Sequence, residues 1–439
     1  MTGIASEGVL IWMFAGLVGL MLTGLPLAFV LGGLAILFTV LLWDPAALTI
    51  TVLQIFDTMR SDSLMSIPLY VMMASVLQRS GIIESLYKAM ELWFNRLPGG
   101  LAIGTVIICT IMAAMTGIVG AAVAAMGILA LPSMLKRGYD QRLALGTICA
   151  GGTLGILIPP SVVTIVYAVT AQVSIGQMFI GGIIPGLLLA GLYVAYIVIR
   201  SLIDPSIAPR DPSPVAWGAR IRSLRALILP FLIIIGVLGS IYAGIATPTE
   251  AAAVGVAGAV VSAAVERRLS LSMLSGAGID TIKVTAMILW ITMGAKAFVA
   301  IFTGTGGADF LLEFIRDLDA NRWLVLAAMM GVLVFLGLFL DEIGIILLCV
   351  PVFLPVIQLL DFDPLWFGIL FMVSAQTAYI SPPFGYTLFY LKGTLPPEIG
   401  MGTVYRGIIP FVLLQLVGLG LCAAFPELVL WLPKLMVAG

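Results

Sequence analysis

Two adjacent prolines, Pro159-Pro160, lie inside a long apolar stretch at residues 146–167 and restrict how this chain can fold. Proline lacks a backbone N–H and pushes the residue before it out of the helical conformation, so the pair must break a helix that we expect to reach Ile158. Inside a lipid bilayer, the backbone groups freed by such a break must be buried in protein or line a cavity. The sequence therefore predicts a broken helix, and a purely structural kink is the alternative.

The same element returns 223 residues later as Pro382-Pro383. Rarer residue types recur at the same offset, and these matched pairs are Asp57 with Asp280, Pro132 with Pro355, Asp140 with Asp363, and Thr164 with Thr387. This register indicates an internal duplication, with one repeat at residues 1–215 and the other at residues 216–439. Interrupted apolar segments at matching places in two halves are typical of the binding site of a membrane transporter.

The composition predicts an all-α polytopic membrane protein, because 61% of the 439 residues are hydrophobic and only 10% are charged. A net charge of -1 argues against a nucleic-acid partner, and the lack of histidine excludes His-ligated metal sites and His proton relays. The four cysteines show no paired spacing, so we expect them to pack in the core. We expect the first apolar run to be a retained span, since no basic residue precedes it.

Apolar runs along the chain predict a series of spans. Residues 8–42 form one kinked helix or two short ones, and residues 84–96 form an amphipathic helix at the membrane interface. Residues 100–135 form a span or a re-entrant hairpin that turns near residues 116–120. The remaining spans are expected at 64–79, 174–199, 226–243, 247–265, 282–303 and 402–432.

The basic residues predict the orientation. An arginine-rich loop at residues 200–225 is expected in the cytoplasm, whereas the first 59 residues contain no Lys or Arg and are expected to start outside. An odd number of spans in each half follows, so the two repeats are predicted to be inverted.

Two acidic residues, Asp341 and Glu342, interrupt an apolar segment of the second half and are candidates for an ion or substrate site. At the repeat offset they match Ile118 and Val119, so the two interrupted segments are expected to meet at the pseudo-symmetry axis. The alternative is that these carboxylates cap a turn or face water, and Asp341 is the stronger candidate.

Lys296 is the only basic residue deep in an apolar span. It could neutralise a substrate carboxylate or pair with Asp341. Glu250, at the start of another span, is expected to cap its helix.

The broken helices supply further candidates. Their second parts are expected to begin at Ser161 and Phe384, where free N–H groups suit an anion, while the carbonyls that end the first parts suit Na+. The predicted substrate-binding residues are Ser161, Thr164, Lys296, Phe384 and Thr387. The predicted sodium ligands are Thr116, Gly117, Gly152, Thr153, Asp341, Gln376, Thr377 and Ser381.

Several segments resemble the large membrane subunit of the tripartite ATP-independent periplasmic (TRAP) transporters. They include GGTLGILIPPSVVTIVYA and SIGQMFIGGIIPGLLL in the first half, and TPTEAAAVG, GLFLDEIGIILLCVPVFLPV and WFGILFMVSAQTAYISPPFGYTLFYLKG in the second. The resemblance covers nearly the whole chain. One departure lies at residues 117–120, Gly-Ile-Val-Gly, where many members carry a Gly-Ser-Ser run, and this puts a sodium site built on those hydroxyls in doubt.

The resemblance implies a sodium-coupled secondary importer in the bacterial inner membrane that works by an elevator motion. Its transport domain would comprise residues 97–170 and 318–395, held by a scaffold of the remaining spans and the helix at 84–96. Such proteins work with a small four-helix membrane subunit and a periplasmic binding protein that delivers a small organic anion, here a carboxylate such as a 2-oxo acid or a dicarboxylate.

Three alternative functions differ from this one in a property that can be observed. A stand-alone dicarboxylate or citrate carrier of the same superfamily would need no binding protein, and a channel would show no saturation by solute. A membrane enzyme would need a Ser/Lys or paired-Asp arrangement, and neither the adjacent Asp341 and Glu342 nor the isolated Lys296 supplies one. The chain is therefore not expected to be an enzyme.

Overall fold

The computed structural model describes residues 6–42, 45–210 and 216–436, and within these ranges the regular structure is entirely helical. Seven helices of the described residues are long and apolar enough to cross a membrane, judged by length and composition. The predicted all-α, multi-pass class is thus confirmed.

The first half contains ten α-helices. They are α1 (Ser6–Leu22), α2 (Leu27–Leu42), α3 (Leu48–Met59), α4 (Ser66–Arg79), α5 (Ile82–Phe94), α6 (Gly100–Thr116), α7 (Val119–Lys136), α8 (Gln141–Thr153), α9 (Val162–Ala171) and α10 (Ile175–Ile203). Residues 8–42 therefore form two helices, separated where Gly24 adopts a positive φ of 81° just before Pro26. The segment at 100–135 is a helical hairpin, which was one of the two predicted alternatives, and it turns at Gly117-Ile118, within the predicted turn at residues 116–120.

A short helix, α11 (Trp217–Ser223), connects the halves. The second half contains α12 (Arg225–Ile234), α13 (Ser240–Tyr242), α14 (Pro248–Val265), α15 (Leu271–Gly304), α16 (Gly307–Asp317), α17 (Arg322–Leu336), α18 (Glu342–Leu359), α19 (Pro364–Ile380), α20 (Tyr386–Lys392), α21 (Met401–Ala424) and α22 (Glu427–Leu435). A π-helical segment, Ile235–Gly239, joins α12 to α13.

The helices of the second half follow those of the first at the offset of 223 residues. The hairpin α6–α7 corresponds to α17–α18, the broken pair α8–α9 to α19–α20, and the amphipathic α5 to α16. Packing follows the same relation, because α2 packs along α15 while its counterpart α14 packs along α4. The internal duplication is therefore visible in the order and packing of the helices, and the inverted orientation of the repeats stays a prediction.

Several predicted boundaries were wrong. Helix α8 ends at Thr153 and continues only as a 3-10 turn to Ile156, so it does not reach Ile158. Glycines at 151, 152 and 155 are poor helix formers, and they weaken the helix before the two prolines end it. The span predicted at 402–432 is two helices, α21 and α22, and α15 begins eleven residues before the predicted span at 282–303.

The segment at residues 200–225, which was predicted to be a loop, also contains the helix α11. Arg220 of α11 is buried, and its guanidinium donates to the Leu92 carbonyl at 3.1 Å and to the Asn95 side chain at 3.2 Å. The Trp93 indole donates in return to the Arg220 carbonyl. These bonds fix α11 on the C-terminal end of the amphipathic helix α5.

Other local predictions were confirmed. Thr247 and Glu250 form a reciprocal capping box at the start of α14, so Glu250 has the expected capping role. All four cysteines are free and buried. Small residues pack helices closely, as at Gly255, where an added Cβ would lie 2.4 Å from the Met73 sulfur.

Candidate functional site

One cavity of about 810 Å³ lies where the two hairpin turns approach the two helix breaks. Its lining includes residues 117–120 of the α6–α7 turn, Val162 and Val163 at the start of α9, residues 340–343 of the α17–α18 turn, and Tyr379, Tyr386 and Tyr390 beside the second break. The turn between α1 and α2 and one face of α15 close the remaining sides. The two interrupted segments therefore line the same cavity, while their meeting at a pseudo-symmetry axis stays a prediction.

The turn of the first hairpin touches both breaks. Gly117 has a φ of +58°, and a Cβ added there would lie 2.4 Å from the Pro160 carbonyl oxygen. A Cβ on Gly120 would lie 2.9 Å from the ring of Tyr390, which belongs to α20. The glycines are needed at this turn because a larger residue would separate the hairpin from the broken helices.

The turn of the second hairpin is held by tyrosines. Tyr379, near the end of α19, accepts a 2.8 Å hydrogen bond from the Glu342 backbone N–H. Its ring stacks on Tyr386 with centroids 5.2 Å apart, and the Tyr386 hydroxyl donates to the Phe339 carbonyl. The start of α18 is therefore tied to both parts of the second broken helix.

The charged side chains in the described lining of the cavity are acidic. Asp341 and Glu342 both contribute to the lining, and among the described lining residues none is Lys or Arg. Glu342 Oε2 is buried without a hydrogen-bond partner among the described residues. A buried carboxylate oxygen without a partner is costly, so it requires either a proton or a cation beside it.

Two predicted substrate-binding residues hold the breaks together. The Thr164 hydroxyl donates to the Ile156 carbonyl at 3.3 Å across the first break, and the Thr387 hydroxyl donates to the Tyr379 carbonyl across the second. Ser161 caps α9 by accepting a bond from the Thr164 N–H. None of these three side chains is part of the cavity lining.

We expect Thr164→Val and Thr387→Val each to lower the free energy of unfolding by about 1–3 kcal/mol, because each leaves a buried carbonyl at a break without its donor. The control is Thr110→Val, whose hydroxyl bonds only to the Val106 carbonyl within α6. Chemical unfolding of the three purified variants tests this, and equal losses in all three would contradict a special role for the breaks.

The predicted sodium ligands divide into two groups. Gly117 and Asp341 line the cavity, whereas Thr116, Gly152, Thr153, Gln376, Thr377 and Ser381 lie outside its lining. The hydroxyls of Thr116, Thr377 and Ser381 donate to carbonyls of their own helix, and Thr153 also accepts from Gln415. Gly152 packs against Val123.

Gln376 differs from the other candidates. It is fully buried in α19 at the offset position of Thr153, and neither its Oε1 nor its Nε2 has a hydrogen-bond partner among the described residues. Buried amides are almost always bonded, so this side chain has capacity for a ligand that the protein itself does not supply.

Lys296 does not pair with Asp341, so that alternative was wrong. Its Nζ lies 2.6 Å from Asp57 Oδ2, in a separate cavity. The second part of the second broken helix begins at Tyr386 and not at Phe384, and Phe384 is half-exposed outside the lining of the first cavity.

Glu342, the weaker of the two acidic candidates, lines the cavity together with Asp341, and the three tyrosines in the lining were not among the candidates. A signal for them was present, since Tyr390 recurs with Tyr167 at the repeat offset and Tyr379 and Tyr386 flank the second proline pair.

The described fold and site define a class of protein. Two hairpins and two broken helices around a cavity that contains two carboxylates are typical of a helical membrane transporter. The fold is similar to the solved structure of the YdaH transporter of Alcanivorax borkumensis, with a TM-score of 0.66 at 17% identity over 95% of this chain and 98% of that one. MtrF of Neisseria gonorrhoeae, from a class of antimetabolite efflux pumps, is similar with a TM-score of 0.59 at 13% identity over 88% and 84% of the two chains.

The family is shown by sequence. Residues 14–428 match the family described as Tripartite ATP-independent periplasmic transporter, DctM component. The chain belongs to this family of TRAP transporter large permeases, which confirms the resemblance and the expectation that it is not an enzyme.

Relatives with assigned names cover almost the whole chain. The C4-dicarboxylate TRAP transporter large permease DctM of Pseudomonas aeruginosa is 32% identical, over 92% of this chain and 93% of its own. The permease of the same name from Vibrio cholerae is 30% identical, over 97% of each chain. The ectoine TRAP transporter large permease TeaC of Halomonas elongata is 30% identical, over 96% and 98%.

Proposed function

We propose that this chain carries out sodium-coupled import of a small organic anion by an elevator motion. The observation that carries the proposal is the cavity joining both hairpin turns and both helix breaks, which is lined by two carboxylates and, among its described residues, by no basic side chain. An anion entering such a cavity is repelled unless a cation enters with it. The requirement for a co-bound cation is the physical origin of coupling in this proposal.

Sodium binds, in this proposal, near Asp341 and Glu342, and the buried amide of Gln376, outside the lining of that cavity, provides a second position for a sodium ligand. Carboxylate, amide and carbonyl oxygens suit a hard cation of this kind. A substrate carboxylate then lies at the start of α9, where Val162 and Val163 line the cavity and the positive end of the helix dipole faces it.

The moving part comprises residues 97–170 and 318–395, which include both hairpins and both breaks, and the remaining spans with α5 form the scaffold. The partners proposed are a small four-helix membrane subunit and a periplasmic binding protein, in the bacterial inner membrane. Related permeases are named for C4-dicarboxylates, ectoine and isethionate, so succinate, ectoine and isethionate are the first compounds to test for uptake.

We expect saturable stabilisation of the purified chain by Na+, measured as the thermal unfolding midpoint in NaCl against KCl and choline chloride at equal ionic strength. A ligand that binds only the folded protein stabilises it by about 2.7 kcal/mol at a hundred times its Kd. Asp341→Asn is expected to remove most of the difference between Na+ and K+.

The matched control is Glu398→Gln, which neutralises an exposed carboxylate outside the cavity and should retain the sodium response. Equal midpoints in the three salts for the unmodified chain would contradict a resting sodium site. Loss of the response in both variants would show that it reflects total charge instead of a site.

A further inference from the structure

A second cavity, of about 310 Å³, lies apart from the first and contains a half-buried basic group. Asp57 on α3 and Lys296 on α15 form its ion pair, with Nζ and Oδ2 2.6 Å apart. The Asp57 side chain is 70% exposed and that of Lys296 is 28% exposed, so the pair faces an open, polar space. Thr170 on α9 and Gln54 on α3 add polar groups to the lining.

The same three helices line both cavities. The second cavity follows the first in the same chain direction on all three helices. The lined stretches are residues 162–163 and 166–170 on α9, 284–291 and 292–300 on α15, and 342–343 and 347–351 on α18. The centres of the paired stretches lie roughly six to nine residues apart, which is about 9–13 Å at a rise of 1.5 Å per residue.

Because this direction is the same on all three helices, a displacement of roughly eight residues along α15 would carry the first cavity to the position of the second. Helix α18 packs against both α9 and α15. If α9 and α18 move together by that distance along α15, the residues that now face Ile288 and Ile291 come to face Lys296 and Val299. The acidic cavity is then brought beside Lys296.

We propose that the Asp57–Lys296 cavity is a second anion station, where Lys296 receives the carboxylate of the substrate after α9 and α18 have moved along α15. This inference rests on the proposed import of an organic anion. In the described arrangement Asp57 neutralises Lys296, so the lysine is not available to unrelated anions. An arriving carboxylate competes with Asp57 for the ammonium group, and Asp57 then displaces it again and promotes release.

The repeat supplies a matched control pair. Asp280 occupies the position of Asp57 in the second repeat and pairs with Arg79, with Ser75 as an additional donor. Neither Asp280 nor Arg79 lines the second cavity. A change at Asp280 therefore removes an equivalent carboxylate without altering the proposed station.

The charge of the station can be measured without knowing the substrate. A cysteine is placed in the cavity as Thr170→Cys, and its reaction rates are measured with two methanethiosulfonate reagents, one carrying a sulfonate and one a trimethylammonium group. The native cysteines are all buried, so the parent chain without Thr170→Cys gives the background. The quantity compared is the ratio of the anionic to the cationic rate.

Because a nearby charge changes the two rates in opposite directions, this ratio responds strongly to it. Lys296→Gln is expected to lower the rate ratio by about tenfold or more. Asp57→Asn is expected to raise it by about threefold or more. Asp280→Asn should leave it unchanged within about twofold. The proposed station is overturned if Lys296→Gln leaves the rate ratio unchanged, or if Asp280→Asn changes the ratio as much as Lys296→Gln does.

The displacement is tested by a short bifunctional thiol reagent on chains that carry two added cysteines. Val163→Cys with Ile291→Cys should cross-link in the described arrangement, and Val163→Cys with Val299→Cys only after the displacement. If the second pair never cross-links in Na+ or in K+ while the first does, the proposed station is overturned. If the rate ratio and both cross-links behave as expected but Na+ gives no stabilisation, the proposed sodium coupling fails and the station stands.

Discussion

Gly117→Ala is expected to abolish transport and to lower the free energy of unfolding by about 2–5 kcal/mol. The position combines a left-handed backbone conformation with a carbonyl oxygen only 2.4 Å from where the new Cβ would lie. An alanine must therefore push the hairpin turn away from Pro160, which opens the cavity between the first hairpin and the first break. Uptake by proteoliposomes and chemical unfolding measure the two effects separately.

The control is a glycine with free space around an added Cβ. Gly19 is in helix α1 with no atom within 4 Å of an added Cβ, so Gly19→Ala should leave transport intact and stabilise its helix slightly. Wild-type uptake by the Gly117→Ala variant would show that the turn is not in contact with the break in the working protein.

Gln376→Leu is expected to have opposite effects on stability and on function. With no cation present, the variant should be more stable than the parent by about 1–3 kcal/mol, because leucine removes a buried amide that has no hydrogen-bond partner among the described residues. The same change should eliminate the sodium response and sodium-dependent uptake, since the amide oxygen is a proposed ligand.

Gln415→Leu is the matched comparison, because Gln415 is a second fully buried glutamine. Its Oε1 also has no partner among the described residues, but its Nε2 donates to Thr153 at 3.1 Å, and leucine removes that bond. That variant should be less stable than the parent. Thermal unfolding of both variants with and without Na+ decides the matter. Destabilisation by Gln376→Leu in the absence of Na+ would mean that the amide is already satisfied, for example by a buried water.

The fold could be predicted largely because, in a duplicated chain, each structural element has a counterpart in the sequence of the other half. One proline pair is ambiguous, but two pairs in register with matched aspartates define equivalent elements in both halves. The turn near Thr116 could be placed because glycines and a threonine interrupt an apolar run, and the acidic pair gave the matching turn in the second half.

The details that failed depend on contacts distant in sequence. No local signal shows that Lys296 meets Asp57, since the two residues lie 239 positions apart and on different helices. The tyrosines could not be distinguished from core aromatics, because their role depends on how the second hairpin packs on α19. The end of α8 could not be predicted from the prolines alone. It also depends on how strongly the glycines before them weaken the helix.

The two repeats differ most where the first has two short helices, α3 and α4, and the second has the single helix α15. At 34 residues, α15 is about 51 Å long, whereas the hydrocarbon core of a bilayer is about 30 Å thick. A continuous helix of this length must tilt or project from the membrane, while the separated helices of the first half can adjust at their junction. Lipid acyl-chain length therefore acts unequally on the two halves, and bilayer thickness becomes a variable to control in any reconstitution of this protein.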